Sequence, residues 1–163
     1  MTSKLYYSYD DIHELCCTKT EQIKSEFNPD LILAIGGGGL IPARIMRTNM
    51  NIPIYVVSFT SYDENNNQLD TLKTIQWMDF SQIKDKKILI VDEVDDTRKT
   101  LSYIVDKLVT EENINKANLG IFVVHNKIKE KILPNKDLNV SYYLSGENVE
   151  DLWIVYPWDI YIT

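Results

Sequence analysis

Cysteine is nearly absent. Cys16 and Cys17 are the only two in 163 residues, and they are adjacent. They form neither a disulfide framework nor a Cys-x-x-Cys pair, which suits a reducing compartment and leaves helix packing as their task. Histidine is as scarce, with His13 and His125 far apart. A closed zinc site wants four ligands, so His13 reads as a surface residue. No apolar run approaches membrane-spanning length, and Met1-Thr2-Ser3-Lys4 opens no signal-peptide core, so a cytoplasmic location and no membrane partner are expected. Positive charge is in deficit: 17 Lys and Arg against 24 Asp and Glu give a net charge of −7. That argues against a nucleic-acid surface and leaves any anionic ligand to be met by local cations.

What is present is a hydrophobic content of 44% with 25% charged residues, enough for one compact domain over residues 1–163. Its organising stretch is the apolar run Ile88-Leu89-Ile90-Val91, then Asp92, Glu93, Asp95 and Asp96, then Thr97-Arg98-Lys99-Thr100. The run is too short for a helix and rich in β-branched residues, so it reads as a buried parallel strand. Leu101, Ile104, Val105 and Leu108 recur at helical spacing, which starts a helix near Thr97. Open α/β sheets bind ligands beyond the carboxyl ends of their strands, where this acidic loop would sit. Free N–H groups and Thr hydroxyls at a helix start suit a phosphate. The carboxylates suit sugar hydroxyls, Mg²⁺ or a developing positive charge. Simple helix capping would need one acid, and four are present.

Earlier in the chain, Ser8 with Asp10 and Asp11 caps a helix whose apolar stripe is Ile12, Leu15, Cys16, Ile23 and Phe27. A second buried strand, Leu31–Ile35, runs straight into Gly36-Gly37-Gly38-Gly39 and a helix carrying Pro42. Four glycines let backbone N–H groups approach a ligand closely, although a flexible turn alone would also use glycine. Neither register fits Gly-x-Gly-x-x-Gly, and no Walker lysine follows.

A third strand begins at Ile54 and runs to Phe59. Beyond it Glu64-Asn65-Asn66-Asn67-Gln68 is polar and aperiodic, either a hairpin tip or a functional loop, and Thr74 to Met78 reads as a returning strand. Another buried strand, residues 119–124, ends in His125-Asn126-Lys127; Lys127, Lys129, Glu130 and Lys131 read either as a plain solvated loop or, in part, as a ligand-facing strand end. Residues 138–144 alternate weakly as a strand. The closing run Asp151-Leu152-Trp153-Ile154-Val155-Tyr156-Pro157-Trp158-Asp159 is strongly aromatic; on its own it reads as an edge strand plugged into the core.

The central stretch resembles the phosphoribosyl-pyrophosphate (PRPP) motif of type I phosphoribosyltransferases: four apolar residues, two adjacent acids, then Asp-Thr. The closing run resembles the purine branch, the hypoxanthine/guanine and xanthine enzymes of fungal type. Residues 87–93 also resemble the first strand of a receiver domain, but no Lys-Pro follows and too little chain remains for one.

The resemblance implies an α/β fold: a central, mainly parallel sheet of about five strands flanked by helices. It adds a small hood from the N-terminal and C-terminal segments and a mobile lid at about 61–77. It implies Mg²⁺-dependent transfer of 5-phosphoribosyl from PRPP to a 6-oxopurine, in purine salvage, by a homodimer or homotetramer. Under it, Asp92 and Glu93 hold ribose hydroxyls and, with Asp159, the metal. Asp96 is the acid–base group. Asp96, Thr97, Arg98, Lys99 and Thr100 surround the 5′-phosphate. Gly37 and Gly38 hold pyrophosphate, in a loop that often contains a cis peptide. Ser61, Tyr62 and Lys73 belong to the lid. Trp153 stacks on the base, the Ile154 backbone bonds its edge, and Lys127, with His125 as the alternative, meets the 6-oxygen.

Three departures from the family stand out. Arg98 replaces the usual Gly, to contact phosphate or point to solvent. Leu152 stands where relatives carry polar residues, and the chain ends soon after Asp159. They leave a second reading: a catalytically silent PRPP- or nucleotide-binding regulatory protein, which need not retain Asp96 or Trp153.

Overall fold

The computed structural model describes residues 3–131 and 138–161. Strand β1 (Lys4–Tyr6) leads to α1 (Tyr9–Glu26), whose start is sealed by a reciprocal capping box between Ser8 and Asp11. Then follow β2 (Leu31–Ile35), α2 (Leu40–Met50), and an antiparallel hairpin of β3 (Ile54–Tyr62) and β4 (Gln68–Gln76). The second half runs β5 (Ile88–Asp95), α3 (Lys99–Thr110), β6 (Leu119–Ile128), β7 (Tyr142–Glu150) and β8 (Trp153–Val155).

Six strands, one more than expected, form the main sheet in the order β4-β3-β2-β5-β6-β7, parallel except at the β3–β4 edge. Strand β2 is buried on both faces. Leu31, Leu33 and Ile35 pack with Ile88, Ile90 and the Leu101, Ile104, Leu108 stripe of α3. Ile32 and Ala34 pack with Leu89, Val91 and the inner faces of α1 and α2, including the buried Cys16. Such two-sided burial is why these strands read as unbroken apolar runs. The chain leaves β2 toward β3 on one side and β5 toward β6 on the other. The β2–β5 junction is therefore the switch point of the sheet, and the glycine turn and acidic stretch meet at its carboxyl edge. The two ends of the chain meet in a separate two-stranded parallel sheet, in which Leu5 pairs with Ile154.

Several boundaries differ from the sequence reading. Strand β5 does not stop at Val91. Asp92, Val94 and Asp95 remain in register with Val123, His125 and Asn126, so three of the acids lie on the strand. Ladder pairing uses backbone groups, and acidic side chains at the open sheet edge do not disturb it. Helix α3 starts at Lys99 because Arg98 is left-handed, at φ 70°, which no helical residue adopts. Strand β3 runs on to Tyr62, and β4 returns from Gln68 rather than Thr74. Likewise β6 carries on through His125 and Lys127. The strand expected over 138–144 begins only at Tyr142, where pairing with Gly120 starts; residues 132–137 lie outside the described part. His13 is exposed as expected, and no helix among the described residues is long and apolar enough to cross a membrane.

Candidate active site

Two cavities share the carboxyl edge of the sheet. One, of about 230 Å³, is lined by residues 92–101. The other, of about 220 Å³, lies among Glu93, Val94, Asp96, Lys127, Trp153, Ile154, Tyr156 and Asp159. Glu93, Val94 and Asp96 belong to both, so a ligand filling the pair would have its middle against these residues. A larger cavity of about 510 Å³ shares Lys127 and Trp153 with the second.

The floor is acidic and poorly solvated. Burial pushes Asp92 up to about 7, with the charges of Glu93 and Asp95 adding to it against a hydrogen bond from the Glu93 N–H. Burial raises Glu93 as well, with Asp159 adding repulsion, although the Trp158 indole donates to its Oε2 at 3.0 Å. Carboxylates in this state favour a divalent cation over each other. Among the described residues no group of three or more ligand side chains is spaced to hold a metal by itself. Mg²⁺ binds through one or two carboxylates and completes its shell with water and substrate phosphates. Asp92, Glu93 and Asp159 are the residues available to it.

The glycine turn abuts this floor. Gly37 has φ 93°, a conformation L side chains rarely adopt, and any side chain at Gly38 would run into the Glu93 carboxylate. All peptide bonds among the described residues are trans, in contrast to the cis bond the resemblance suggested.

Asp95 and Asp96 face opposite ways. Asp95 is 1% exposed; its Oδ2 accepts from Arg98 Nε at 3.0 Å, Arg98 Nη2 at 2.8 Å and the Tyr143 hydroxyl at 2.8 Å. Arg98 also lies over the Tyr143 ring, 5.3 Å from its centroid. The guanidinium of Arg98 is thus drawn to a buried carboxylate, while Arg98 lines the first cavity with Thr97 and Thr100. The side chain of Asp96 is 43% exposed and accepts from Lys129 Nζ at 2.9 Å and Lys127 Nζ at 3.3 Å. Burial works to raise Asp96, but the two ammonium groups outweigh it and hold the carboxyl below its usual range. Asp151 closes the cluster, 3.0 Å from Lys129 and 3.6 Å from Lys127.

Thr97, Lys99 and Thr100 line the first cavity at the start of α3, and the Lys99 N–H donates to Thr97 Oγ1 at 3.4 Å. Trp153 is 67% exposed and leaves its indole open to a ligand, while Ile154 is buried beside it. Lys127 lies in the second cavity and His125 does not. Burial holds the His125 ring down to about 4. It bonds the Tyr156 hydroxyl through Nδ1 at 2.8 Å and lies against the Tyr7 ring, centroids 4.2 Å apart and planes tilted by 38°. A buried neutral imidazole of this kind is core, so the alternative of His125 against a base is not supported by its position. Ser61, Tyr62 and Lys73 sit on the β3–β4 hairpin and line neither cavity.

Sequence reasoning missed Tyr156, Trp158, Tyr143, Lys129, Lys131 and Asp151. Lys127, Lys129 and Lys131 alternate, a spacing that on extended chain places three ammonium groups on one side, and this was the available signal.

A phosphoribosyl transferase domain matches residues 8–159 of the chain. The chain is 44% identical to hypoxanthine-guanine phosphoribosyltransferase of Schizosaccharomyces pombe, over 96% of this chain and 89% of that protein. It is 38% identical to xanthine phosphoribosyltransferase 1 of Saccharomyces cerevisiae, over 96% and 90%. A hypothetical protein from Neisseria gonorrhoeae, solved with bound ppGpp, superposes with a TM-score of 0.81 at 38% identity, covering 98% of this chain and 91% of that one. With an acidic strand end at the switch point, paired cavities and these relatives, the chain belongs to the phosphoribosyltransferase family, in its purine-using, type I branch.

Proposed function

We propose that the chain moves the 5-phosphoribosyl group of PRPP onto a 6-oxopurine, hypoxanthine, guanine or xanthine, with Mg²⁺ bound beside the departing pyrophosphate. The carrying observation is the Asp96–Lys127 pair, 3.3 Å apart and facing a cavity that also holds Trp153. The 5′-phosphate is met by the backbone N–H groups at the start of α3 and by Thr97, Lys99 and Thr100. The Gly37–Gly38 turn, free of side chains, receives pyrophosphate. Mg²⁺ would neutralise the leaving pyrophosphate, held by Asp92, Glu93 and Asp159.

A purine edge-on to Asp96 and Lys127 meets an acceptor and a donor side by side. Lys127 donates to the 6-oxygen, and Asp96 takes the proton that leaves N7 as N9 bonds to the ribose carbon. The bond from that carbon to pyrophosphate breaks in the same event. Positive charge develops on the ribose, and the carboxylates beneath it stabilise that charge without having to reorganise. Trp153 covers the base, and the β3–β4 hairpin, carrying Ser61, Tyr62 and Lys73, closes over PRPP as a lid that excludes water. The Neisseria neighbour's ppGpp, a guanine nucleotide, supports guanine among the bases.

The test is incubation with PRPP, Mg²⁺ and each base in turn. Mononucleotide and pyrophosphate in equal amounts are expected with a 6-oxopurine, and no nucleotide from any of them overturns the proposal. A silent regulatory protein would bind PRPP without forming product.

A further inference from the structure

The β5–β6 ladder ends one step too soon for the chemistry. Its last paired residues are Asp95 and Asn126. Asp96 and Lys127, the pair on which the proposed function rests, stand just beyond that rung, and Lys127 is paired instead on its other side, with Val149 of β7. Asp96 and Lys127 themselves do not form a further rung of this ladder.

Lys131 occupies that gap. Its side chain is 9% exposed and folds back from beyond the end of β6. Its Nζ lies 2.9 Å from the carbonyl of Asp95 and 3.0 Å from those of Asp96 and Lys127 and from Asn126 Oδ1, four acceptors among which its three N–H donors are shared. Asp95 Oδ1, otherwise without a hydrogen-bond partner, lies 3.6 Å away and supplies a countercharge. One ammonium group thus meets the backbone of both residues that would flank the base, the backbone of Asp95 and the side chain of Asn126. An ammonium carries no acceptor and its donors rotate freely, so it can serve carbonyls converging from two strands, which a backbone N–H cannot.

We propose that Lys131 is a positioning residue that replaces the missing rung and sets the separation of Asp96 from Lys127. It is not among the residues lining the second cavity. It acts through the two residues it holds, and small displacements of such residues are costly: about 1 Å of misplacement can lower a rate about 10²-fold.

The experiment compares Lys131→Met, which keeps the length and removes every donor, in the parent and in Asp96→Asn. In the parent, kcat with guanine should fall about 10²-fold while KM for PRPP stays within about threefold. In the Asp96→Asn background the same change should cost under about threefold, because residues acting as a unit lose their effect once, not twice. Equal losses in both backgrounds would show that Lys131 does not act through Asp96 and would overturn the proposal. Lys131→Arg keeps charge and donors and should recover part of the loss; if Lys131→Met fails to fold, Lys131→Gln takes its place.

A second arm needs no turnover. Amide hydrogen exchange should rise in Lys131→Met in peptides containing Asp96 and Lys127, with β2 and α1 unchanged. Unchanged exchange there rejects the positioning role even if the parent transfers no ribosyl group, a result that would count separately against the proposed function.

Discussion

Asp95 and Asp96 are neighbours in sequence and identical in chemistry, yet they anchor two networks with opposite physics. The inner one, Asp95 with Arg98, Tyr143 and Lys131, is built on a carboxylate that is fully buried. The outer one, Asp96 with Lys127, Lys129 and Asp151, lies at a cavity wall. Inside, each charge depends on its partner because water cannot replace it, so the network is a fixture. Outside, water and ligand compete for every contact, so pairs can be exchanged for a substrate at small cost. One turn of chain thereby serves both as scaffold and as chemistry.

The largest expected effect comes from the outer carboxylate. Asp96→Asn keeps the shape but cannot take a proton, and kcat should fall by about 10²–10⁴, typical for loss of a positioned acid–base group. PRPP with Mg²⁺ should still raise the melting temperature of the variant. Turnover at the parent's rate would make Asp96 no more than a charge facing two lysines.

Breaking the inner network should cost stability instead of rate. Arg98→Met leaves Asp95 buried with less compensation and should destabilise by about 3 kcal/mol, the lower end for a broken buried pair since Arg98 still touches solvent. Asp95→Leu with Arg98→Gly removes both charges and the left-handed strain, and should recover much of that loss in urea unfolding. If the double change is as unstable as the single one, the pair is not the reason an arginine stands at this left-handed position.

These two carboxylates also mark how far the sequence could be read. The apolar strands and the glycine turn were legible because two-sided burial and φ freedom leave a residue-type record, as at Leu31–Ile35 and Gly37. The acidic motif, its order and the aromatic closing run were legible as a family pattern. The division of labour between Asp95 and Asp96 was not, because it depends on the left-handed Arg98 and on Tyr143, which is 48 residues away from Asp95. Lys131 was read as solvated loop for the same reason: its acceptors are carbonyls, which leave no trace in side-chain identity. His125 shows the converse. As a polar residue beside Lys127 it looked like a ligand, and only Tyr7 and Tyr156 around it make it core.

Trp153 tests the outer region from the base side. Trp153→Ala should raise KM for the preferred purine by an amount matching about 1–3 kcal/mol of lost stacking, with PRPP binding intact. In competition among equal concentrations of purines, adenine should lose, because its 6-amino group leaves the Lys127 donor unpaired at about 1–3 kcal/mol. An adenine preference, or an unchanged KM, removes the closing run from the base pocket.

The floor between the networks carries a pH signature. The Asp92 carboxyl is raised to about 7 in the folded chain, so its contribution to stability is present in acid and lost as pH rises through 7. Asp92→Asn is free of that loss and should melt about 2–4 °C above the parent at pH 8, the gap narrowing steadily toward pH 5. The same variant should lose part of the Mg²⁺-dependent stabilisation by PRPP. A parent that gains nothing in stability on acidification from pH 8 to 6 would place Asp92 in better contact with water than its surroundings allow.

The smallest effect sharpens the comparison most. Lys129→Met removes an ion pair to Asp96 of much the same length as the Arg98–Asp95 pair, 2.9 Å against 2.8 Å. Exposure alone predicts about 0.2–1 kcal/mol of lost stability, several-fold less than for Arg98→Met. The sign with pH is fixed by the depressed Asp96 carboxyl: its contribution is present at neutral pH and disappears as pH falls through its folded value. Asp96 must be ionised to accept a proton, so kcat/KM falls on the same acid limb. Without Lys129 the carboxyl is less strongly held as an anion, and that limb should move upward by less than about one pH unit. The pH–rate profile and urea unfolding of Lys129→Met, measured beside Arg98→Met, decide the matter. A stability loss as large as that of Arg98→Met would mean that the Asp96 carboxylate is as shut off from water as that of Asp95, and the two networks would no longer differ in kind.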